Sequence, residues 1–309
     1  MMSNCADNLF FIYLTFDIDQ DFNLNSFDYY NRTAAKFDSF NTGFRTIIDT
    51  LSGKPFSVFI RSDNQINQLY GGYDYLVRSS DLIKQIKDNN GELDWHIHLY
   101  EKKGDEWIPI SQKKLVDAFL NDLKYVKEIS EINWRIVRIG ECVMTDELMR
   151  AIDQSGILID STAIALRKRG DDEKCFDWAI TNNDFFYPSV SDYRTKGTPH
   201  LKVMEVPMST ILMKAPYDKE PLLRYFNLAF KTDILFHNFS SYVEKHNSLV
   251  TITHPFEVIS KGNHGLVAYD IKTFHSNIEE MVKSVEACGK TPVFKKMSDL
   301  LNNNKRTRK

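Results

Sequence analysis

Cysteine is scarce: Cys5, Cys142, Cys175 and Cys288 are the only four in 309 residues, and no two are closely spaced. That scatter indicates neither a disulfide framework nor a thiolate zinc site, and reduced intracellular thiols are expected. An excess of charge is missing as well, since 39 Lys and Arg stand against 42 Asp and Glu, for a formal net charge of −3. Nucleic acid is therefore not an expected partner. Long apolar runs are also lacking. The stretch from Leu9 to Phe16 falls far below the roughly 20 residues a membrane span needs, and no Lys or Arg precedes it. No integral membrane segment is expected, and the cytoplasm is the expected compartment. No internal repeat and no interdomain linker is found. What remains is 42% hydrophobic and 26% charged residues, an ordinary globular composition able to bury a sizeable core.

Short β-rich runs alternate with longer stretches of helical periodicity, the signature of an α/β layer or barrel on a mainly parallel sheet. Candidate strands are Leu9 to Phe16, Pro55 to Ile60, Glu92 to Leu99, Trp134 to Ile139, Ile157 to Asp160, Lys202 to Val206, Leu249 to Thr253 and Pro292 to Lys295. Apolar spacings of three and four predict helices over Thr42 to Leu51, Ser79 to Asp88, Gln112 to Ile129, Thr145 to Ser155, Pro221 to His246 and Ile271 to Ala287. Thr145 before Asp146 and Glu147 makes a good N-cap with an acidic first turn, and Gly156 supplies the stop. Residues 163–198 are polar, aromatic and turn-rich, and read as an insertion with a hairpin. The expectation is one domain over 1–301 with that insertion, then a basic tail at 302–309.

Four features fall at predicted C-terminal strand ends, the face on which α/β barrels build active sites. In Thr15-Phe16-Asp17-Ile18-Asp19 an apolar strand runs into two carboxylates that point to one side, where a cation or a shared proton would hold them together; a solvated turn is the alternative. In Asp94-Trp95-His96-Ile97-His98 two imidazoles face one side, and with a neighbouring carboxylate they make a two-His, one-carboxylate metal site; a hydrogen-bonded histidine pair is the alternative. Arg138 ends a strand just before a well-capped helix, where it can clamp a carboxylate or anchor a loop. In Thr251-Ile252-Thr253-His254-Pro255 an apolar strand delivers one histidine at its end, fit for acid or base work near neutral pH.

The order Thr15-Phe16-Asp17-Ile18-Asp19, Gly91-Glu92-Leu93-Asp94-Trp95-His96-Ile97-His98, Arg138-Ile139-Gly140-Glu141, Ile159-Asp160-Ser161-Thr162, Met204-Glu205-Val206-Pro207 and Thr253-His254-Pro255-Phe256 resembles the NodB-type polysaccharide deacetylase superfamily over most of the chain. The resemblance implies a distorted (β/α) barrel of about seven strands. It also implies metal-dependent hydrolysis of acetyl, sometimes formyl, groups from sugars. It makes Asp17 the general base, Asp19 and His96 metal ligands, Arg138 the group that orients the base, and His254 the acid. Glu205, or else Asp177, is the implied carboxylate that tunes the acid or the Arg. The sequence departs from the family in two places. The second metal histidine of the family lies four residues after the first, where Tyr100 stands here, so strand geometry gives that role to His98. The family's Arg-x-Pro-aromatic becomes Arg138-Ile139-Gly140-Glu141. The implied cofactor is one divalent ion, zinc above all, with cobalt, manganese or iron also suited. The implied partner is an acylated sugar or glycoconjugate of bacterial surface-polysaccharide metabolism.

Two other readings stand beside this one. Asp-x-Asp after a first strand also opens haloacid-dehalogenase-type phosphatases, which would leave His96, His98 and His254 without a task. A non-catalytic sugar-binding barrel of the same family is the other. His200, His237, His246 and His275 read as surface histidines and His264 as part of a turn. Trp178, Phe185, Phe186 and Tyr187 read as packing of the insertion, and Arg167-Lys168-Arg169 as a solvated turn.

Overall fold

The computed structural model describes residues 8–19, 38–69, 75–170, 175–259 and 265–303. Cys5, Gln20, Asp21, Asn23, His264 and the tail beyond 303 lie outside the described residues. Strand β1 (Leu9–Tyr13) runs into β2 (Thr15–Ile18), and β3 (Phe56–Arg61) and β4 (Gly91–Ile97) follow. A hairpin of β5 (Tyr100–Lys103) and β6 (Glu106–Pro109) precedes β7 (Ile136–Ile139) and β8 (Ile159–Asp160). Residues 163–198 hold the hairpin of β9 (Lys168–Gly170) and β10 (Cys175–Asp177). Then come β11 (Met204–Glu205), a third hairpin of β12 (Thr210–Met213) and β13 (Leu222–Tyr225), β14 (Ser248–Val250) and β15 (Thr291–Lys295).

Parallel neighbours need long crossovers. Helices Asp38–Leu51, Ser80–Asp88, Leu115–Ile129, Asp146–Gln154 and Ile271–Ala287 supply them. Their ends follow local chemistry. The Thr145 hydroxyl accepts the Leu148 N–H (3.1 Å) to start one helix, and Gly156, at φ +87°, follows its last turn. Asp270 accepts the Thr273 N–H (2.9 Å) at the start of the last long helix, whose Phe274, Ile278, Met281 and Val285 recur on one buried face.

Six strands form one parallel sheet in the order β11-β8-β7-β4-β3-β2, and β14-β1-β15 form a second parallel sheet. The single strand expected over Leu9 to Phe16 is split at Leu14: β1 belongs to the small sheet and β2 to the large one. The sheets meet where Asp17 N–H bonds the Thr253 carbonyl and Thr253 N–H bonds that of Thr15, each at 3.2 Å. At the far edge no continuous ladder joins β11 to β14 among the described residues; Ser209 N–H reaches the Val250 carbonyl at 3.1 Å instead. Beyond β11, Val206 still donates to the Asp160 carbonyl (2.8 Å), and Pro207, the next residue, has no N–H with which to continue the strand. The α/β architecture on a parallel sheet is as expected, whereas the described strands do not close a barrel ladder.

One expected helix is absent. Residues 221–246 form β13, a short turn of helix at Thr232–Leu235 and the helix Phe239–Lys245. Asn227, fully buried, donates to Glu257 (2.8 Å) and accepts the Ala229 N–H (2.9 Å), contacts that outweigh helical spacing. The core between the sheets and helices includes the fully buried Phe16, Phe44, Phe56 and Trp95, each contributing about 1.5–3 kcal/mol by burial. Trp178 packs the insertion onto this body, with its indole N–H on the Cys142 carbonyl at 2.9 Å. No helix among the described residues is long and apolar enough to cross a membrane.

Candidate metal centre

Parallel register brings the polar strand ends side by side. Arg61 of β3 stands beside His96 of β4, and His96 beside Arg138 of β7. Asp19 lies just past the end of β2 and His98 just past the end of β4. The ligand atoms of Asp19, His96 and His98 all lie within 4.8 Å of one another. Asp19 Oδ1 is 3.2 Å from His98 Nε2 and 3.6 Å from His96 Nε2, and the two Nε2 atoms are 3.0 Å apart.

The hydrogen bonds decide which imidazole nitrogens face inward. His96 Nδ1 lies 2.9 Å from the Arg138 carbonyl, which can only accept, so Nδ1 carries the proton and Nε2 presents a lone pair. His98 Nδ1 lies 3.4 Å from the Tyr100 hydroxyl, which donates its own proton to Glu141 Oε1 at 2.9 Å. Neutral His98 then also turns a lone pair inward. Two lone pairs at 3.0 Å repel unless a proton or a cation sits between them. Asp19 Oδ1, buried and without a hydrogen-bond partner among the described residues, supplies a third donor atom. Burial alone would raise the Asp19 carboxyl, but positive charge beside it, from a proton on the His98–His96 pair and from the Arg61 guanidinium, outweighs it and holds it well below the usual range. Burial lowers His96 against the pull of Asp17 and Asp19, which keeps its imidazole neutral. An anionic carboxylate and two imidazole lone pairs, each ring held from behind, fit a divalent ion.

The departures from the family pattern meet at His98. A Cβ on Gly140 would overlap the His98 ring, coming within 2.6 Å of Cγ and closer still to Cδ2 and Nε2. Gly140 is the space the ring occupies. Tyr100 supports the imidazole from behind, and Glu141, held at φ +58°, accepts from Tyr100. A non-glycine residue in that region is strained, and here the strain places a carboxylate.

Beside this triad stand the two remaining groups. Arg138 donates through Nη1 to Asp17 Oδ1 and to the Thr15 hydroxyl (3.0 Å), and through Nε and Nη2 to the carbonyl and hydroxyl of Ser161 (2.9 Å each). Its guanidinium lies over the Phe59 ring at 3.9 Å, so Asp17 is gripped by a group that cannot turn away. His254 Nε2 approaches Asp19 Oδ2 at 3.8 Å, and Nδ1 lies 3.3 Å from Glu257 Oε2, which also accepts the His254 backbone N–H at 2.8 Å. Burial disfavours the His254 cation, but Glu257, Asp19 and Asp17 override it and push the imidazole up to about 9.

The carboxylate beside the acid is Glu257, whereas Glu205, expected to tune the acid or the Arg, lies where the charge of Arg138 acts on it. Glu205 is the cross-strand partner of Asp160, both fully buried. Burial pushes both carboxyls up, Asp160 to about 6, and the Asp160 charge adds to the rise at Glu205, so the pair holds a proton. Burial, with the charge of Glu92, also raises Asp94 behind His96. Asp177 is spent on Arg194 (3.0 Å) in the insertion. Sequence reasoning missed Glu257 and, at the end of β3, Arg61 and Asp63. Glu257 stands three residues after His254, a helical spacing that points to such a pair.

No family model matches the chain and no curated protein matches it in sequence. Solved structures do resemble it. A candidate polysaccharide deacetylase from Mycobacterium smegmatis superposes at a TM-score of 0.54 and 13% identity, over 97% of this chain and 92% of that one. A candidate glycoside hydrolase/deacetylase from Parabacteroides distasonis superposes at 0.57 and 10% identity, over 92% of this chain and 68% of the other. At such identities the likeness shows the fold.

Proposed function

The chain has the NodB-type deacetylase fold, and on that premise we propose that it is a metal-dependent hydrolase. It removes an acetyl or formyl group from a carbohydrate or glycoconjugate of bacterial surface-polysaccharide metabolism. The observation that carries the reading is the convergence of Asp19, His96 and His98 at one set of strand ends, their ligand atoms within 4.8 Å. These three residues would hold one divalent ion, with zinc, cobalt, manganese or iron all suited to the donor set. When bound, the metal acidifies water and polarises the acyl carbonyl.

The rest is done by the chain. Asp17, aimed by Arg138, takes the proton of the attacking water. His254, cationic at neutral pH beside Glu257, gives its proton to the leaving nitrogen or oxygen as the bond to the acyl carbon breaks. Backbone N–H groups near the strand ends add to the hold on the developing oxyanion. The open ladder between β11 and β14 is read as the seam of a distorted seven-stranded barrel, with Ser209 and Val250 facing across it. A cytoplasmic setting belongs to the same proposal, supported by Cys142 and Cys288, which are free thiols. The test is release of acetate or formate from a panel of N- and O-acylated sugars by metal-loaded protein, with the Asp17→Asn variant alongside. Release by wild type and not by the variant supports the proposal; equal release by both removes Asp17 as the base.

A further inference from the structure

Arg61 ends β3 and is fully buried at the edge of the site. Its Nε donates to Asp63 Oδ2 at 2.7 Å and its Nη2 to Gln65 Oε1. Nη1 has no hydrogen-bond acceptor among the described residues and faces Asp19 Oδ1 at 3.5 Å. A buried guanidinium with a donor left over is costly unless that donor has a task. Asp63 is as fully committed. Its Oδ1 accepts the Ile66 N–H at 3.0 Å, which ties it to the short helix Asn64–Leu69. Its Oδ2 accepts Arg61 and also the backbone N–H of His98, at 3.0 Å.

One ion pair thus touches two of the three candidate ligands. A second histidine placed two residues after the first, instead of four, has its backbone beside the end of β3, where Asp63 can take its N–H. We propose that Arg61 and Asp63 are positioning residues of the metal centre, Arg61 steadying the Asp19 carboxylate from outside and Asp63 fixing the backbone of His98. The inference rests on the metal reading above. A cation beside a cation site would ordinarily weaken metal binding, but Asp63 at 2.7 Å offsets the charge of Arg61 and leaves geometry as its main contribution.

Position and charge make opposite demands on two variants. Arg61→Lys keeps the charge and loses the planar fork that reaches Asp63, Gln65 and Asp19 together; Arg61→Met also removes the charge. The experiment is cobalt(II) titration of both variants and wild type, read as affinity and as the visible ligand-field bands, with thermal denaturation to show that each is folded. Both variants should bind cobalt roughly 10–100-fold more weakly, with altered bands. Arg61→Lys within about threefold of wild type with unchanged bands, or Arg61→Met binding more tightly than wild type, overturns the proposal. If Arg61→Met does not fold, Arg61→Lys decides alone. A wild type that binds no cobalt overturns the metal reading and this inference together, whereas unchanged variants of a metal-binding wild type overturn only the inference.

Discussion

Gly140→Ala adds one methyl group at the point where the candidate ligand set is tightest. Gly140 does not lie in the left-handed region, so alanine is tolerated by the backbone and the effect is that of the Cβ alone. That Cβ would stand 2.6 Å from His98 Cγ, about 0.8 Å short of the 3.4 Å at which ordinary contact begins. The ring cannot retreat along its own plane without leaving Tyr100 or closing on His96, whose Nε2 is 3.0 Å away. Metal–nitrogen bonds of about 2.0–2.1 Å do not stretch by such an amount, so the His98 ligand would be lost. Losing a group that merely supports a ligand costs about 10–100-fold in metal affinity, so losing the ligand itself should exceed ~100-fold, or ~2.8 kcal/mol. Overpacking adds a folding penalty of about 1–3 kcal/mol, which leaves a stable domain standing. The assay is zinc affinity by competition with a chelating dye, with thermal denaturation as the control for folding. A folded Gly140→Ala protein that binds zinc within about threefold of wild type would refute both the seat assigned to Gly140 and the ligand role of His98.

Asp17→Asn should bind metal like wild type and lose about 10²–10⁴-fold in turnover, measured as kcat on any acylated sugar found to be a substrate. Glu257→Gln removes the largest influence that raises His254, so the alkaline limb of the pH–rate profile should move to lower pH. The same pair contributes to the stability of the metal-free fold. Because the folded value lies above the unfolded one of about 6.5, that contribution is complete below about pH 6.5 and disappears as pH rises through about 9. Urea denaturation should therefore show Glu257→Gln destabilised at pH 6 and close to wild type at pH 10; an equal deficit at both would contradict the assignment.

The strand ends were legible because each carries an apolar run that stops on a polar residue. Asp17 with Asp19, and His96 with His98, alternate as a strand requires, and the structure places all four at the same end of one sheet. Arg61 was not legible, since an Arg at the end of an apolar run, followed by Ser62-Asp63, reads as a strand leading into an N-cap. Asp63 does cap a helix; that it also holds His98 depends on register between β3 and β4, which no local pattern encodes. Tyr100 and Gly140 are 40 residues apart in sequence, and nothing local links them. In space they touch the same imidazole. The helix expected over Pro221 to His246 gave way to a hairpin because β13 found a partner in β12 and Asn227 found buried partners in the backbone and Glu257. The missing ladder between β11 and β14 turns on Pro207, whose cost to a sheet depends on where the neighbouring strand lies.

The measurement that tests the central claim most directly is the metal content of purified protein by elemental analysis, for wild type beside Asp19→Ala and His96→Ala. The account predicts about one divalent ion per chain in wild type and its loss in both variants. A wild type that holds no divalent ion even after reconstitution with zinc or cobalt would contradict it and leave the fold without the proposed chemistry.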